Sequence, residues 1–225
     1  MSAIDVVVCD DHPVVRWGLK QILESDVPIG RMGEAGSAPE LFTLVRTHDW
    51  HVVILDISLP GLSGMDALRQ IKHERPRLPI LIVSVHPPEH YAVRTLRAGA
   101  AGYLTKITAA DELVRAVRTV VGGHKYVTSE VAERLAIDLE RPFDRPAHEA
   151  LTDREYQVLC LLGSGRTATE AAVTLCLSVK TVSTHRTHVL QKLGLKTTAE
   201  LIRYVVEHDI TCDGAHLARN GTSPV

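Results

Sequence analysis

Val52-Val53-Ile54-Leu55-Asp56 decides the fold. Four apolar residues in succession, without polar alternation, make a strand that buries both faces. Such strands belong to a parallel sheet covered by helices on either side. The run closes on an acid, and an amphipathic stretch opens at Gly64. Working outward, Val6-Val7-Val8 is a second run of the same kind, inside a predicted strand Ile4–Cys9 that ends on Asp10-Asp11. Arg31–Ala35, Ile80–Val83 and Gly102–Leu104 read as further strands. Helical periodicity fills the intervals over Val14–Ser25, Ala38–Thr47, Gly64–Glu74, Glu89–Ala98 and Ala109–Val121. Five β-α units in series predict a doubly wound α/β domain with a five-stranded parallel sheet. Its functional crevice should lie at the carboxyl ends of the strands.

The pattern changes after Gly122-Gly123. Thr128–Leu139 reads as one helix, and Arg141-Pro142-Phe143-Asp144-Arg145-Pro146 then breaks periodicity as a linker does. No strand is credible beyond it. Helices are expected over Thr152–Gly163, Thr169–Leu175, Val179–Leu193 and Thr197–His208, an all-α four-helix domain whose first helix opens on the capping box Thr152-Asp153-Arg154-Glu155. The stretch from Thr211 to Val225 is polar and expected to fray. The 225 residues are 45% hydrophobic with a net charge of -2, enough apolar material for two cores and too balanced for a disordered polyelectrolyte. Cys9, Cys160, Cys176 and Cys212 are scattered, which gives neither a disulfide framework nor a zinc site. No secretory signal pattern and no apolar run of about 20 residues is present, so a soluble, cytoplasmic protein without a membrane partner is expected.

If the sheet is parallel, the residues at its strand ends gather on one edge: Asp10-Asp11 after the first strand, Asp56 after the third, Ser84 after the fourth, Lys106 after the fifth. Crowded carboxylates repel one another and invite a divalent cation, and oxygen ligands suit Mg2+. An aspartate can attack phosphorus. A lysine beside it can neutralise the transferring oxygens, and a hydroxyl at Ser84 can donate to the product.

Asp10-Asp11-His12-Pro13, Leu55-Asp56-Ile57-Ser58-Leu59-Pro60-Gly61-Leu62-Ser63-Gly64 and Gly99-Ala100-Ala101-Gly102-Tyr103-Leu104-Thr105-Lys106 resemble the receiver domain of response regulators. The resemblance implies that Asp56 becomes an aspartyl phosphate supplied by a partner histidine kinase. It implies that Asp10, Asp11, Asp56 and the backbone carbonyl of Ser58 hold Mg2+. Lys106 would pair with the phosphoryl oxygens, and Ser84 and Tyr103 would be the hydroxyl and aromatic that move together on activation. Some features are individual. Ile107 follows Lys106 where many receivers have proline, although the family places a cis peptide there; Val85 is larger than the residue common after the hydroxyl; His86 occupies a position the family uses to tune phosphoryl lifetime.

From Ser178 to Lys196 the chain carries Lys180, Arg186, Lys192, Lys196, His185 and His188 and no acid. Val182, Val189, Leu190 and Leu193 recur at helical spacing and should face a core. That leaves Lys180, Thr181, Ser183, Thr184, Thr187, His188 and Lys192 for phosphates and base edges. With the preceding helix, the segment from Ala168 to Thr187 forms a helix-turn-helix pattern. Leu151-Thr152-Asp153-Arg154-Glu155, Leu177-Ser178-Val179-Lys180-Thr181-Val182-Ser183-Thr184-His185 and Lys192-Leu193-Gly194-Leu195 resemble the LuxR-type DNA-binding domain, with Ala168-Thr169 departing from the Asn-Lys often found in the family. Together the halves resemble a two-component response regulator of the NarL/FixJ type. The resemblance implies residues 3–122 as receiver, 123–146 as helix and linker, 147–212 as DNA-binding domain and 213–225 as a disordered tail. It implies a homodimer on phosphorylation, inverted half-sites in double-stranded DNA, and RNA polymerase as a candidate partner. In that reading the chain takes a phosphoryl group onto itself and is not otherwise an enzyme.

Three other readings compete. A metabolic α/β enzyme would need a nucleotide or substrate site, yet no G-x-G-x-x-G follows the first strand, no P-loop occurs, and Gly163-Ser164-Gly165 is too short to count. A degenerate receiver is opposed by the intact acid pair, Asp56 and Lys106. An adaptor that binds only protein is opposed by the basic helix.

Overall fold

The computed structural model describes residues 3–86, 88–140, 147–208 and 210. The chain divides into two compact units, Met1–Arg145 and Pro146–Val225. The linker expected at 141–146 and the tail expected at 213–225 fall outside the described residues.

In the first unit β1 (Ile4–Cys9), β2 (Ile29–Ala35), β3 (Val52–Leu55), β4 (Ile80–Ser84) and β5 (Gly102–Thr105) form one parallel sheet in the order β2-β1-β3-β4-β5. Helices α1 (Pro13–Asp26), α2 (Ala38–Thr47), α3 (Gly64–Glu74) and α4 (Pro88–Arg97) connect them, and α5 (Ala109–Val121) follows β5. Every residue of β3 is buried, as its unbroken apolar run requires. The strand order reverses between β1 and β3, so the crevice falls where these strands end, at Asp10-Asp11 and Asp56.

β2 starts two residues before the predicted Arg31. The glycine at 30 lies inside the strand, and a Cβ there would come within 2.6 Å of Asp5 Oδ1 on the neighbouring β1. Beyond α5, Tyr126 bridges to Gly102 and its N–H donates to the carbonyl of Ala101 at 2.8 Å, which covers part of the β5 edge. Helix α6 (Ser129–Glu140) packs against α4.

The second unit opens with a 3-10 turn, Ala147–Ala150, that periodicity does not reveal. Four helices follow: α7 (Asp153–Gly163), α8 (Ala168–Leu175), α9 (Val179–Leu193) and α10 (Thr198–Glu207). Full capping boxes open α7, α8 and α10, at Thr152/Glu155, Thr167/Glu170 and Thr197/Glu200. Leu159, Leu162, Ala171, Val182, Val189 and Leu201 are buried, a core of the unit's own. No helix among the described residues is long and apolar enough to cross a membrane.

Candidate phosphoacceptor pocket and nucleic-acid interface

The pocket is assembled by backbone pairing at the strand ends. Asp56 N–H donates to the carbonyl of Cys9 at 2.9 Å, and Lys106 N–H donates to that of Ser84 at 2.7 Å. These bonds bring Asp10, Asp56, Ser84 and Lys106 together from separate parts of the chain. The Lys106 ammonium lies 2.6 Å from Asp10 Oδ2 and 2.8 Å from Asp56 Oδ2, bridging the two carboxylates. Asp56 is 2% exposed. Burial pushes its carboxyl above the usual carboxylate range, and the Lys106 charge opposes that rise. Burial also works against the Lys106 ammonium, but Asp56 and Asp10 outweigh it and hold the group above its ordinary value. The lysine is therefore a fixed positive charge beside Asp56.

Turn chemistry orients the rest. Ser58 N–H donates to Asp56 Oδ1 at 3.0 Å, and His12 N–H donates to Asp10 Oδ1 at 2.8 Å. Ser63 caps α3 by accepting from Asp66 N at 3.2 Å. Asp10, Asp11 and His12 offer ligand atoms that all lie within 4.8 Å of one another. Asp11 Oδ1 is buried and accepts no hydrogen bond, although His12 Nδ1 is 2.7 Å away. An oxygen-rich donor set with one carboxylate oxygen left without a donor fits a hard divalent cation.

Ser84 is buried, and its Oγ accepts from His86 N–H at 3.2 Å, which leaves its own proton to donate. Tyr103 is turned inward, its hydroxyl donating to the carbonyl of His86 at 2.7 Å. The His86 ring meets Ser58 Oγ at 3.2 Å and stacks on Tyr91 with centroids 4.6 Å apart. His86 thus joins the turn after Asp56 to Ser84 and Tyr103. Val85 and Ile107 are exposed, and no cis peptide occurs among the described residues, so the Lys106–Ile107 bond is trans. That corrects the cis geometry implied by resemblance; a non-proline residue follows the lysine, and trans is its default. Sequence reading missed Arg16, one turn beyond the acid pair, whose guanidinium donates to the carbonyl of Asp10 at 2.6 Å. Burial, then Asp10 and Asp56, push the Cys9 thiol beneath the pocket up to about 12.

In the second unit, α8 ends at Cys176 in the left-handed conformation and Ser178 caps α9, so three residues separate the helices. Lys180, Ser183, Thr184, Thr187, His188 and Lys192 are exposed and Thr181 half-buried. The expected residues differ in their freedom. Thr181 shares the cap, its Oγ1 being 2.8 Å from Ser178 Oγ. Lys192 Nζ donates to Glu155 Oε2 at 2.6 Å, and His188 Nδ1 lies 3.7 Å from Glu155 Oε1. Arg186 is tied to Thr198 Oγ1 at 2.8 Å. Glu155 was legible only as a cap; its grip on Lys192, 37 residues away, was not.

Residues 6–118 match the family described as response regulator receiver domain, and residues 149–205 match bacterial regulatory proteins, luxR family. The chain is a two-component response regulator. MctR, a transcriptional regulatory protein of Rhizobium johnstonii, is 38% identical over 92% of this chain and 95% of its own length. The response regulator UvrY of Escherichia coli K12 is 33% identical over 92% of this chain and 95% of its own. Among solved structures, the RcsB response regulator of Salmonella typhimurium superposes with a TM-score of 0.65 at 27% identity, covering 92% of this chain and 98% of that one. An RcsB–DNA complex aligns with a TM-score of 0.56 at 28% identity, over 91% and 98%. The regulator therefore pairs a receiver with a LuxR-type DNA-binding domain and is a transcriptional regulator.

Proposed function

We propose that Asp56 is the phosphoryl acceptor of this regulator and that its modification controls DNA binding by the helix-turn-helix. The observation that carries the reading is the Lys106 ammonium placed on both Asp56 and Asp10. A carboxylate oxygen of Asp56 attacks the phosphorus of a kinase phosphohistidine. The P–N bond breaks, the imidazole nitrogen keeps the electron pair and takes a proton, and an acyl phosphate remains on Asp56. Lys106 holds positive charge against the developing phosphoryl oxygens, and Ser84 donates its free proton to one of them. Asp10, Asp11, Asp56 and the Ser58 carbonyl would hold Mg2+, which when bound neutralises phosphoryl charge. Ser84 and Tyr103 report the change through His86.

Residues 3–122 receive the signal, 123–146 connect, and 147–212 bind DNA in this reading. Lys180, Ser183, Thr184 and Thr187 face the groove, with Thr181, His188 and Lys192 at its margin. Phosphorylated chains pair as homodimers on inverted half-sites in the cytoplasm, with RNA polymerase a candidate further contact. Incubating the protein with a small phosphodonor and Mg2+ should add one acid-labile phosphoryl group, seen by mass, and Asp56→Asn should take up none. Labelling that persists in Asp56→Asn assigns the nucleophile elsewhere and sinks the reading.

A further inference from the structure

Val179 is the first residue of α9, and it is 45% exposed although its neighbour Val182 is fully buried. It stands at the end of the helix whose N-terminal residues meet base edges when a helix-turn-helix docks in the major groove. Residues 178–196 carry no acid, and Glu155 meets only the far half of the helix, at His188 and Lys192, so the turns around Val179 suit a polyanion.

The polar groups around Val179 are committed in a way that limits what they can read. Ser183 Oγ donates to the carbonyl of Val179 at 2.9 Å, Thr184 Oγ1 to that of Lys180 at 3.0 Å, and Thr187 Oγ1 to that of Ser183 at 3.0 Å. Each hydroxyl proton is spent on the helix, so outward these side chains present lone pairs and, for the threonines, a methyl group. Such acceptors meet the exocyclic amines of adenine or cytosine. Arg186 is held by Thr198 and Lys192 by Glu155, so neither is set for a bidentate approach to guanine. Lys180 is the exposed cation of the first two turns. The remaining feature of the face is its methyls. In the major groove one natural base edge offers an apolar partner, the C5-methyl of thymine.

We propose that Val179 is a specificity-determining residue of this regulator and reads a thymine C5-methyl in each half-site. The inference rests on the DNA-binding reading above and extends it to the base that is read. The occupant is the thymine edge of double-stranded DNA. The surrounding cationic, acid-free segment argues against a second protein, which would bring its own apolar strip to Val179 without needing Lys180.

The test removes the methyl from the DNA. Duplexes bound by the full-length, phosphodonor-treated protein are selected from a random pool, and each thymine of the selected site is replaced in turn by deoxyuridine, which keeps every hydrogen bond. At one position per half-site the wild-type protein should lose about four-fold in affinity, the loss expected for one methyl group left in water. Val179→Ala should bind the thymine and deoxyuridine duplexes equally at that position, and selection with this variant should lose its preference for thymine there. Wild-type affinity that is indifferent to deoxyuridine at every position overturns the inference while leaving DNA binding intact. A methyl effect that survives Val179→Ala assigns the contact to another residue and overturns it too. A pool from which no duplex is enriched overturns the DNA-binding reading itself.

Discussion

At Gly64 a Cβ atom would sit 2.0 Å from the carbonyl oxygen of Asp56 and 2.6 Å from the Cα of Ile57. Both are backbone atoms that cannot swing aside. The turn that carries Asp56 therefore folds onto the first residue of α3, and only hydrogen fits between them. Ser63 N-caps the helix from the adjacent position, so the cap and Asp56 share one rigid turn. Gly64→Ala should cost about 1–3 kcal/mol of stability, the scale of forced overpacking. It should also slow phosphoryl uptake, because Asp56 must move relative to Lys106. Urea unfolding and the initial rate with a small phosphodonor measure both effects; unchanged values in the two experiments would mean that the turn relaxes freely. The residues of this pocket were legible in sequence because each sits where an apolar run ends, and parallel strands deliver their ends to one edge. Their pairing was not legible. That Lys106 spans Asp10 and Asp56, or that His86 ties Ser58, Ser84 and Tyr103 together, depends on side-chain directions that no local pattern encodes.

Among elements, α7 and α9 are joined by Glu155, a buried carboxylate that accepts from Lys192 at 2.6 Å and from Thr152 N–H at 2.7 Å. Burial raises this carboxyl, but the bonds from Lys192 and Thr152 outweigh it, and the group lies below its ordinary range. A carboxylate depressed on folding contributes stability that is present above its unfolded value of about 4.3 and lost as pH falls through its folded value. The helical unit should therefore lose stability in that acid window, and Glu155→Gln should flatten the loss in melts taken across it. Lys192→Ala leaves Glu155 its bond from Thr152 and the more distant His188 ring but removes its close cation, and should destabilise the unit by about 1–2 kcal/mol, toward the lower part of the range for stranded buried acceptors. A Lys192→Ala protein that melts like wild type would make the lysine purely a surface charge. Regular elements were readable here because buried strands and amphipathic helices differ in period. The 3-10 turn Ala147–Ala150 is too short for a period, and the early start of β2 hides behind Gly30, whose role appears only once Asp5 lies beside it.

For the whole molecule, the decisive feature is what α10 leaves uncovered. Leu201 and Val205 are buried in the core of the helical unit, whereas Ile202 is 38% exposed and Val206 73% exposed on the same helix. An apolar pair one turn apart on a helix that already has a packed face suits a second copy related by a two-fold axis, since each copy brings the same strip. On the proposed reading, a phosphoryl group on the receiver would act by favouring one of two arrangements. Such pairing would convert two weak half-site contacts into one tight one, because the second contact would be made at the high effective concentration set by the first. Val206→Lys places a charge in that strip on each copy and should abolish pairing on DNA. Affinity for an inverted two-half-site duplex should fall about 100-fold, at the low end of what linkage of two sites supplies, while affinity for a single half-site stays the same. Gel shifts of both duplexes should be run at one fixed salt concentration, because every phosphate neutralised adds about 0.9 to the slope of log affinity against log salt. Equal losses on both duplexes would place Val206 in the DNA contact or the fold, and an unchanged two-site affinity would move the dimer surface away from α10.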